Sequence, residues 1–231
     1  MLLDRRAGKL TRRWMTGPAI KICGISTAQA LDAAIGARAD HAGFVFFPRS
    51  PRNVSMQEAA ALGSRAEGRI GRVGLFVDPD DTLLAEAMSA GRLDAIQLHG
   101  SETPERAAQV RARFGKPVWK ALPVASRDDI AWAEAYAGAA DLILFDAKTP
   151  KGALPGGMGL AFDWSLLADW KGPVAWGLAG GLSAQNVAEA IRTTGAPLVD
   201  TSSGVESAPG VKDVDKIAAF AYAARNSGTD R

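Results

Sequence analysis

Five polar side chains stand at or just past the ends of short apolar runs, where chemistry is easily placed. They are Cys23 after KI, Arg52 after the SP at 50–51, His99 beyond Gln97, Asp146 after LILF, and Asp200 after LV. A thiol serves as a general base once nearby cations stabilise its thiolate; the bland alternative is a buried structural cysteine. Asp146 is either paired for stability or held in a dry site as a general acid with a raised pKa. Asp200 reads the same way, with Lys21 as a candidate structural partner. Arg52 follows a loop stiffened by Pro48 and Pro51, and its planar fork suits a carboxylate; the alternative is a solvated arginine. His99, taken singly, reads more readily as a hydrogen-bonded structural group than as a catalyst.

Two later segments supply a different chemistry. LAGGLSAQNV at 178–187 and VDTSSGVESAPGVKD at 199–213 are apolar runs that break into small residues, Gly180 and Gly181 in the first and Ser202, Ser203 and Gly204 in the second. Glycines after a strand let backbone N–H groups approach an anion, and a following helix N-terminus adds a favourable dipole. Two such loops in succession predict a two-sided phosphate cradle.

The elements that must position these groups alternate in type. β-rich runs at 19–23, 42–47, 72–77, 95–98, 118–122, 142–146, 174–178 and 198–201 are separated by Ala-rich segments of helical period. The helical segments lie at 27–36, 56–66, 80–90, 104–114, 127–136, 163–169, 183–193 and 212–225, and Ser55, Thr103, Ser126 and Ser183 stand where they can cap theirs. The pattern predicts an α/β fold, a single (β/α)8 TIM barrel over 19–231 preceded by a basic extension at 1–18. A doubly wound open sheet competes, because counting strands cannot close a barrel. In a barrel, polar residues at strand C-termini face the site, which adds Lys21, Arg49, Asp78, Gln97 and Lys120 to the roll. The glycine- and proline-rich stretch at 147–161 is long enough to be functional or disordered, and its glycines would permit a lid.

Bulk properties exclude several classes. With 47% hydrophobic and 23% charged residues the chain is of ordinary globular composition, and a formal charge of +2 argues for neither nucleic-acid nor membrane partners. No apolar run approaches a membrane span, and no apolar region follows the basic start to make it a signal peptide, so a tail is the preferred reading of 1–18. A single cysteine rules out an internal disulfide and fits a reducing compartment, hence a cytoplasmic protein. With two histidines besides, no zinc-ligand spacing exists. KICGIS lacks the glycine spacing of a dinucleotide site, and neither a P-loop nor a hydrolase elbow is present.

Taken together, KICGIS (21–26), GFVFFPRSPRNVS (43–55), VGLFVD (73–78), IQLHGSE (96–102), LFDAK (144–148), GGMGLAFDW (156–164) and the two late loops resemble the phosphoribosylanthranilate isomerases, in family order. The resemblance implies a (β/α)8 barrel that carries out an Amadori rearrangement of N-(5′-phosphoribosyl)anthranilate, in tryptophan biosynthesis, without cofactor or metal. It implies Cys23 as general base, Asp146 as general acid and Arg52 against the anthranilate carboxylate, with His99 and Asp200 as further substrate contacts. Gly157, Ala179, Gly180, Gly181, Ser202, Ser203 and Gly204 match the family's phosphate site. The expected partner is a small phosphorylated molecule, and the protein is a monomer or a homodimer. A histidine-pathway isomerase of the same chemistry generally carries a carboxylate where Cys23 stands, and a non-catalytic phosphosugar-binding barrel would lose acid or base.

Overall fold

Alternating β and helical runs resolve into eight parallel strands whose first and last members pair. The computed structural model describes residues 17–147, 162–168 and 170–228. Its strands are β1 (Ala19–Cys23), β2 (His41–Phe46), β3 (Gly71–Phe76), β4 (Ala95–Leu98), β5 (Val118–Val124), β6 (Leu142–Ala147), β7 (Ala175–Leu178) and β8 (Leu198–Thr201). Lys21 on β1 lies opposite His41 on β2 and opposite Asp200 on β8, so no edge remains and the open-sheet alternative is removed.

Period-two alternation then assigns every strand side chain to one of two cores. Ile20 and Ile22, Ile96 and Leu98, Ile143 and Phe145, and Val199 point outward and pack under the helices. Val73, Ala95, Trp119, Ala121, Leu144 and Leu198 fill the barrel interior. Lys21 and Cys23 on β1, Gln97 on β4, Asp146 on β6 and Asp200 on β8 share the inward parity and continue that interior toward the strand C-termini.

The surrounding helices are α1 (Ala28–Gly36), α2 (Met56–Ala66), α3 (Asp81–Ala90), α4 (Pro104–Phe114), α5 (Arg127–Ala131), α6 (Val187–Thr194) and α7 (Val214–Arg225). Ser55 forms a capping box with Glu58, and Thr103 and Ser126 cap α4 and α5. Ser183 does not cap: its own N–H donates to Asn186 Oδ1, and the helix begins only at Val187. The expected helix at 127–136 tightens into a 3₁₀ turn from Trp132 to Tyr136. That expected at 163–169 is a single 3₁₀ turn, Trp164–Leu167, too short to bury an amphipathic stripe.

The last helix starts after Asp213, whose carboxylate accepts the N–H groups of Asp215 and Lys216. Ahead of it the chain makes a hairpin that the periodicity does not reveal, β9 (Glu206–Ala208) and β10 (Val211–Lys212). Its turn is Pro209-Gly210, with Gly210 at φ +81°. Nearly all of the basic start and all of 148–161, Gly157 included, lie outside the described residues. Among the described residues no helix is long and apolar enough to cross a membrane.

Gly63, within α2, touches the carbonyl of Gly91 just past α3, and a Cβ there would collide with that backbone. Helix propensity alone would make Gly63→Ala stabilising by about 1 kcal/mol. The contact reverses the sign: the substitution is expected to destabilise by about 1–3 kcal/mol. Urea unfolding midpoints with unchanged m-values check this, and a stabilised variant would show that the helices do not meet so closely.

Candidate functional site

The inward-facing residues at the strand C-termini converge on a pocket of about 640 Å³, its open mouth included, lined by Cys23, Arg52, His99, Asp146, Asp200 and the loops at 179–182 and 201–203.

On its floor, Lys21 Nζ donates to Asp200 Oδ2 at 2.8 Å across the β1–β8 seam, and both side chains are buried. The other oxygen of Asp200, Oδ1, is buried without a hydrogen-bond partner among the described residues. Cys23 follows Lys21 by two residues on the same face. Gly43, its partner on β2, leaves them room: a Cβ there would stand 3.0 Å from Cys23 Sγ and 3.2 Å from Lys21 Cε.

Burial pushes the thiol of Cys23 above its ordinary value, against the pull of Lys21 and, more weakly, Lys212. Burial likewise raises the Asp200 carboxyl, with Lys21 opposing. For Lys21 burial works downward, but Asp200 and Cys23 together outweigh it and the ammonium is held above the ordinary lysine value. Burial thus opposes ionisation of both the Asp200 carboxyl and the Cys23 thiol, and the Lys21 ammonium counters it at each.

Asp146, at the end of β6, accepts the N–H of Ala147 at Oδ1 (2.8 Å) and meets His99 Nε2 with Oδ2 (3.3 Å). Gln97 Nε2 lies 3.1 Å from His99 Nδ1. With the amide donating there, the neutral ring carries its proton on Nε2, directed at Asp146. The carboxylate is therefore paired rather than isolated in an apolar slot, and its partner is His99. Gly180 closes over it at φ +83°; any side chain there would strike the Ala147 amide and the Asp146 carboxylate. This close approach requires glycine.

Arg52 is neither solvated nor loosely placed. Its Nε and Nη2 donate to Glu206 Oε1 (2.7 Å) and Oε2 (2.8 Å), a bidentate pair with both side chains largely buried. Glu206 Oε1 also accepts from Lys212 Nζ at 2.7 Å. Sequence reading missed Glu206 and Lys212 because both lie on the small hairpin rather than at a barrel strand end. The only local signal for that hairpin is the Pro-Gly dipeptide at 209–210.

Ala179, Gly180, Gly181, Ser202 and Ser203 line one side of the pocket, while Gly204 stands just behind it, its Cα packed against the Leu182 carbonyl. Thr201 Oγ1 donates to the same carbonyl at 2.7 Å, so the two small-residue loops are fastened together. The second loop leads into a 3₁₀ turn, Ser203–Val205, then the hairpin, and then α7.

Three residues expected at the mouth serve elsewhere. Lys120 has the outward parity of Val118 and Leu122; its ammonium is buried against Glu102 (2.8 Å) and the Gly100 carbonyl (2.6 Å). Asp78 accepts from the N–H and hydroxyl of Ser101, tying β3's loop to β4's. Arg49 lies over the Phe47 ring. Among the described residues no group of three or more His, Cys, Asp or Glu side chains is placed to hold a metal ion.

The sequence from 20 to 223 matches the family model of N-(5′-phosphoribosyl)anthranilate (PRA) isomerase. It is similar to the N-(5′-phosphoribosyl)anthranilate isomerase of Paramagnetospirillum magneticum, 56% identical over 207 residues, 89% of this chain and 96% of the relative. Among solved structures it resembles the phosphoribosyl anthranilate isomerase of Thermotoga maritima, with a TM-score of 0.81 at 35% identity, covering 90% of this chain and 99% of the other. A phosphoribosyl anthranilate isomerase solved with reduced 1-(o-carboxyphenylamino)-1-deoxyribulose 5-phosphate superposes with a TM-score of 0.79 at 33% identity, covering 90% and 99%.

Because Cys23 is the single cysteine, its ionisation can be followed by thiolate ultraviolet absorbance, with Cys23→Ser as the blank. The midpoint is expected above that of a free thiol. A midpoint at or below the free value would mean that Lys21 and Lys212 outweigh burial.

Proposed function

The chain belongs to the phosphoribosylanthranilate isomerase family, and on that footing we propose that it converts N-(5′-phosphoribosyl)anthranilate into 1-(2-carboxyphenylamino)-1-deoxyribulose 5-phosphate, the Amadori step of tryptophan biosynthesis. One observation carries the assignment of roles. A thiol, a histidine-paired carboxylate, an anchored arginine and two small-residue loops share one pocket.

The substrate's phosphate lies against the loops at 179–181 and 202–204, with Gly157 as a further contact, and its anthranilate carboxylate meets Arg52. Phosphate binding supplies affinity away from the reacting centre and aligns it. Asp146, in its protonated form, delivers a proton to the ribose ring oxygen; the C1–O bond breaks and a Schiff base forms to the anthranilate nitrogen. His99 at 3.3 Å is placed to exchange that proton with Asp146. The Schiff base acidifies the hydrogen on C2, and Cys23, in the thiolate form that Lys21 and Lys212 favour against burial, removes it to leave an enolamine. The enolamine's hydroxyl then loses its proton while C1 gains one, and the ketone product results. Asp200, which lines the pocket and whose Oδ1 has no hydrogen-bond partner among the described residues, accepts from a sugar hydroxyl.

Each step is a proton transfer or a bond shift that a proton transfer drives, so the reaction as proposed calls on neither cofactor nor metal. We further take the protein to be a cytoplasmic monomer or homodimer, with residues 19–231 forming the barrel domain and 1–18 an extension.

A fluorescence assay that follows loss of the anthranilate substrate tests the roles. Cys23→Ser and Asp146→Asn are each expected to lower kcat by about 10²–10⁴-fold in a folded protein. Turnover close to wild type in either variant removes that residue's role.

A further inference from the structure

Arg52 is reached by a structure that the barrel itself does not need. The hairpin of β9 and β10 hangs from the end of β8, and two contacts press it onto the loop carrying Arg52. Its turn glycine, Gly210, lies so close to the Pro51 carbonyl that a Cβ would stand 2.5 Å away. Its first residue, Glu206, takes the Nε–Nη2 edge of the guanidinium. The stem of Arg52 meanwhile crosses Gly24, where a Cβ would lie 2.6 Å from Arg52 Cδ. The arginine is thus gripped at both stem and head.

Lys212, on the other strand of the hairpin, extends the grip inward. Its buried ammonium donates to Glu206 Oε1 (2.7 Å), to the Ser202 carbonyl (2.9 Å) and to Ser202 Oγ (3.2 Å). Ser202 Oγ in turn donates to the Cys23 carbonyl at 3.1 Å. Lys216 anchors the hairpin from α7, its Nζ donating to the Glu206 carbonyl at 2.7 Å.

We propose that Glu206 is a positioning residue for the substrate's carboxylate. It fixes the Arg52 guanidinium in the pocket wall and, through Lys212, holds it in register with the Ser202 loop at the phosphate end. The substrate is a rigid aromatic acid at one end and a phosphosugar at the other, so the distance between its two anion sites has to be set by the protein. The Arg52–Glu206–Lys212–Ser202 chain is a continuous hydrogen-bonded path between them. Two cations share one carboxylate, which leaves the guanidinium electropositive enough to take a second carboxylate, a condition that Glu206 paired with Arg52 alone would weaken.

This inference rests on the substrate assignment above, and its test separates the two. Wild-type protein, Glu206→Gln, Arg52→Ala and the double variant are assayed on N-(5′-phosphoribosyl)anthranilate, with folding followed by near-ultraviolet circular dichroism. If Glu206 acts through Arg52, Glu206→Gln raises KM by about tenfold, the size of one charge-assisted hydrogen bond, while kcat stays within about threefold. The double variant is then no worse than Arg52→Ala alone. Glu206→Asp, which keeps the charge but draws it back by one methylene, goes through the same cycle and stands in if the glutamine variant does not fold. A KM within about twofold of wild type, a loss confined to kcat, or effects that multiply in the double variant would each overturn the inference. A wild-type protein without turnover would remove the substrate assignment itself.

Discussion

Closure of the sheet between β1 and β8 is the constraint on which everything else in this molecule depends. It places Lys21 directly opposite Asp200 and seals their ion pair inside the barrel. A buried charge without its partner is costly, so neither residue is tolerated unless the seam closes in this register. A slip by one residue would turn Lys21 and Cys23 outward under the helices and bring Ile20 and Ile22 into the site. The same register sets Cys23 beside the ammonium that partly offsets the cost of its ionisation.

A second layer of organisation is built on that seam rather than within it. The loops after β7 and β8 are fastened to each other at the Leu182 carbonyl, and the hairpin beyond β8 is clamped onto the loop after β2. Elements far apart in sequence, Arg52 and Glu206 for instance, are thereby fixed by bidentate and buried contacts. Such contacts keep their geometry when solvent-exposed ones would fluctuate. Gly24, Gly180 and Gly210, all in the left-handed region, let backbone or side chain pass close, and each lies at a joint between these loops.

Much of this was legible beforehand because the signals are local. Eight apolar runs and the caps at Ser55, Thr103 and Ser126 depend on neighbours within a few residues, and they appear where periodicity places them. The failures also have local causes. Lys120 lies on a strand and shares the other candidates' polar character, but its parity faces outward, and parity can be assigned only once the inner face of β5 is known. The 163–169 segment has helical composition but contributes a single 3₁₀ turn. His99 reads as a structural group when taken alone; its position against Asp146 comes from β4 and β6, which are not even adjacent in the sheet. Glu206 offers no signal, since a glutamate after a serine-glycine loop is ordinarily solvated.

The amino-acid sequence by itself determined the alternation of elements, the two small-residue loops, and the residue types available for proton transfer and anion binding. These follow from side-chain period, turn chemistry and motif order, all of which are written along the chain. Only the tertiary structure decided that the sheet closes, which strand-end residues face inward, that Asp146 meets His99, and that Arg52 is held by Glu206 and Lys212. Each of these depends on contacts between residues tens to more than a hundred positions apart, and their geometry is set by barrel closure and packing rather than by any local preference.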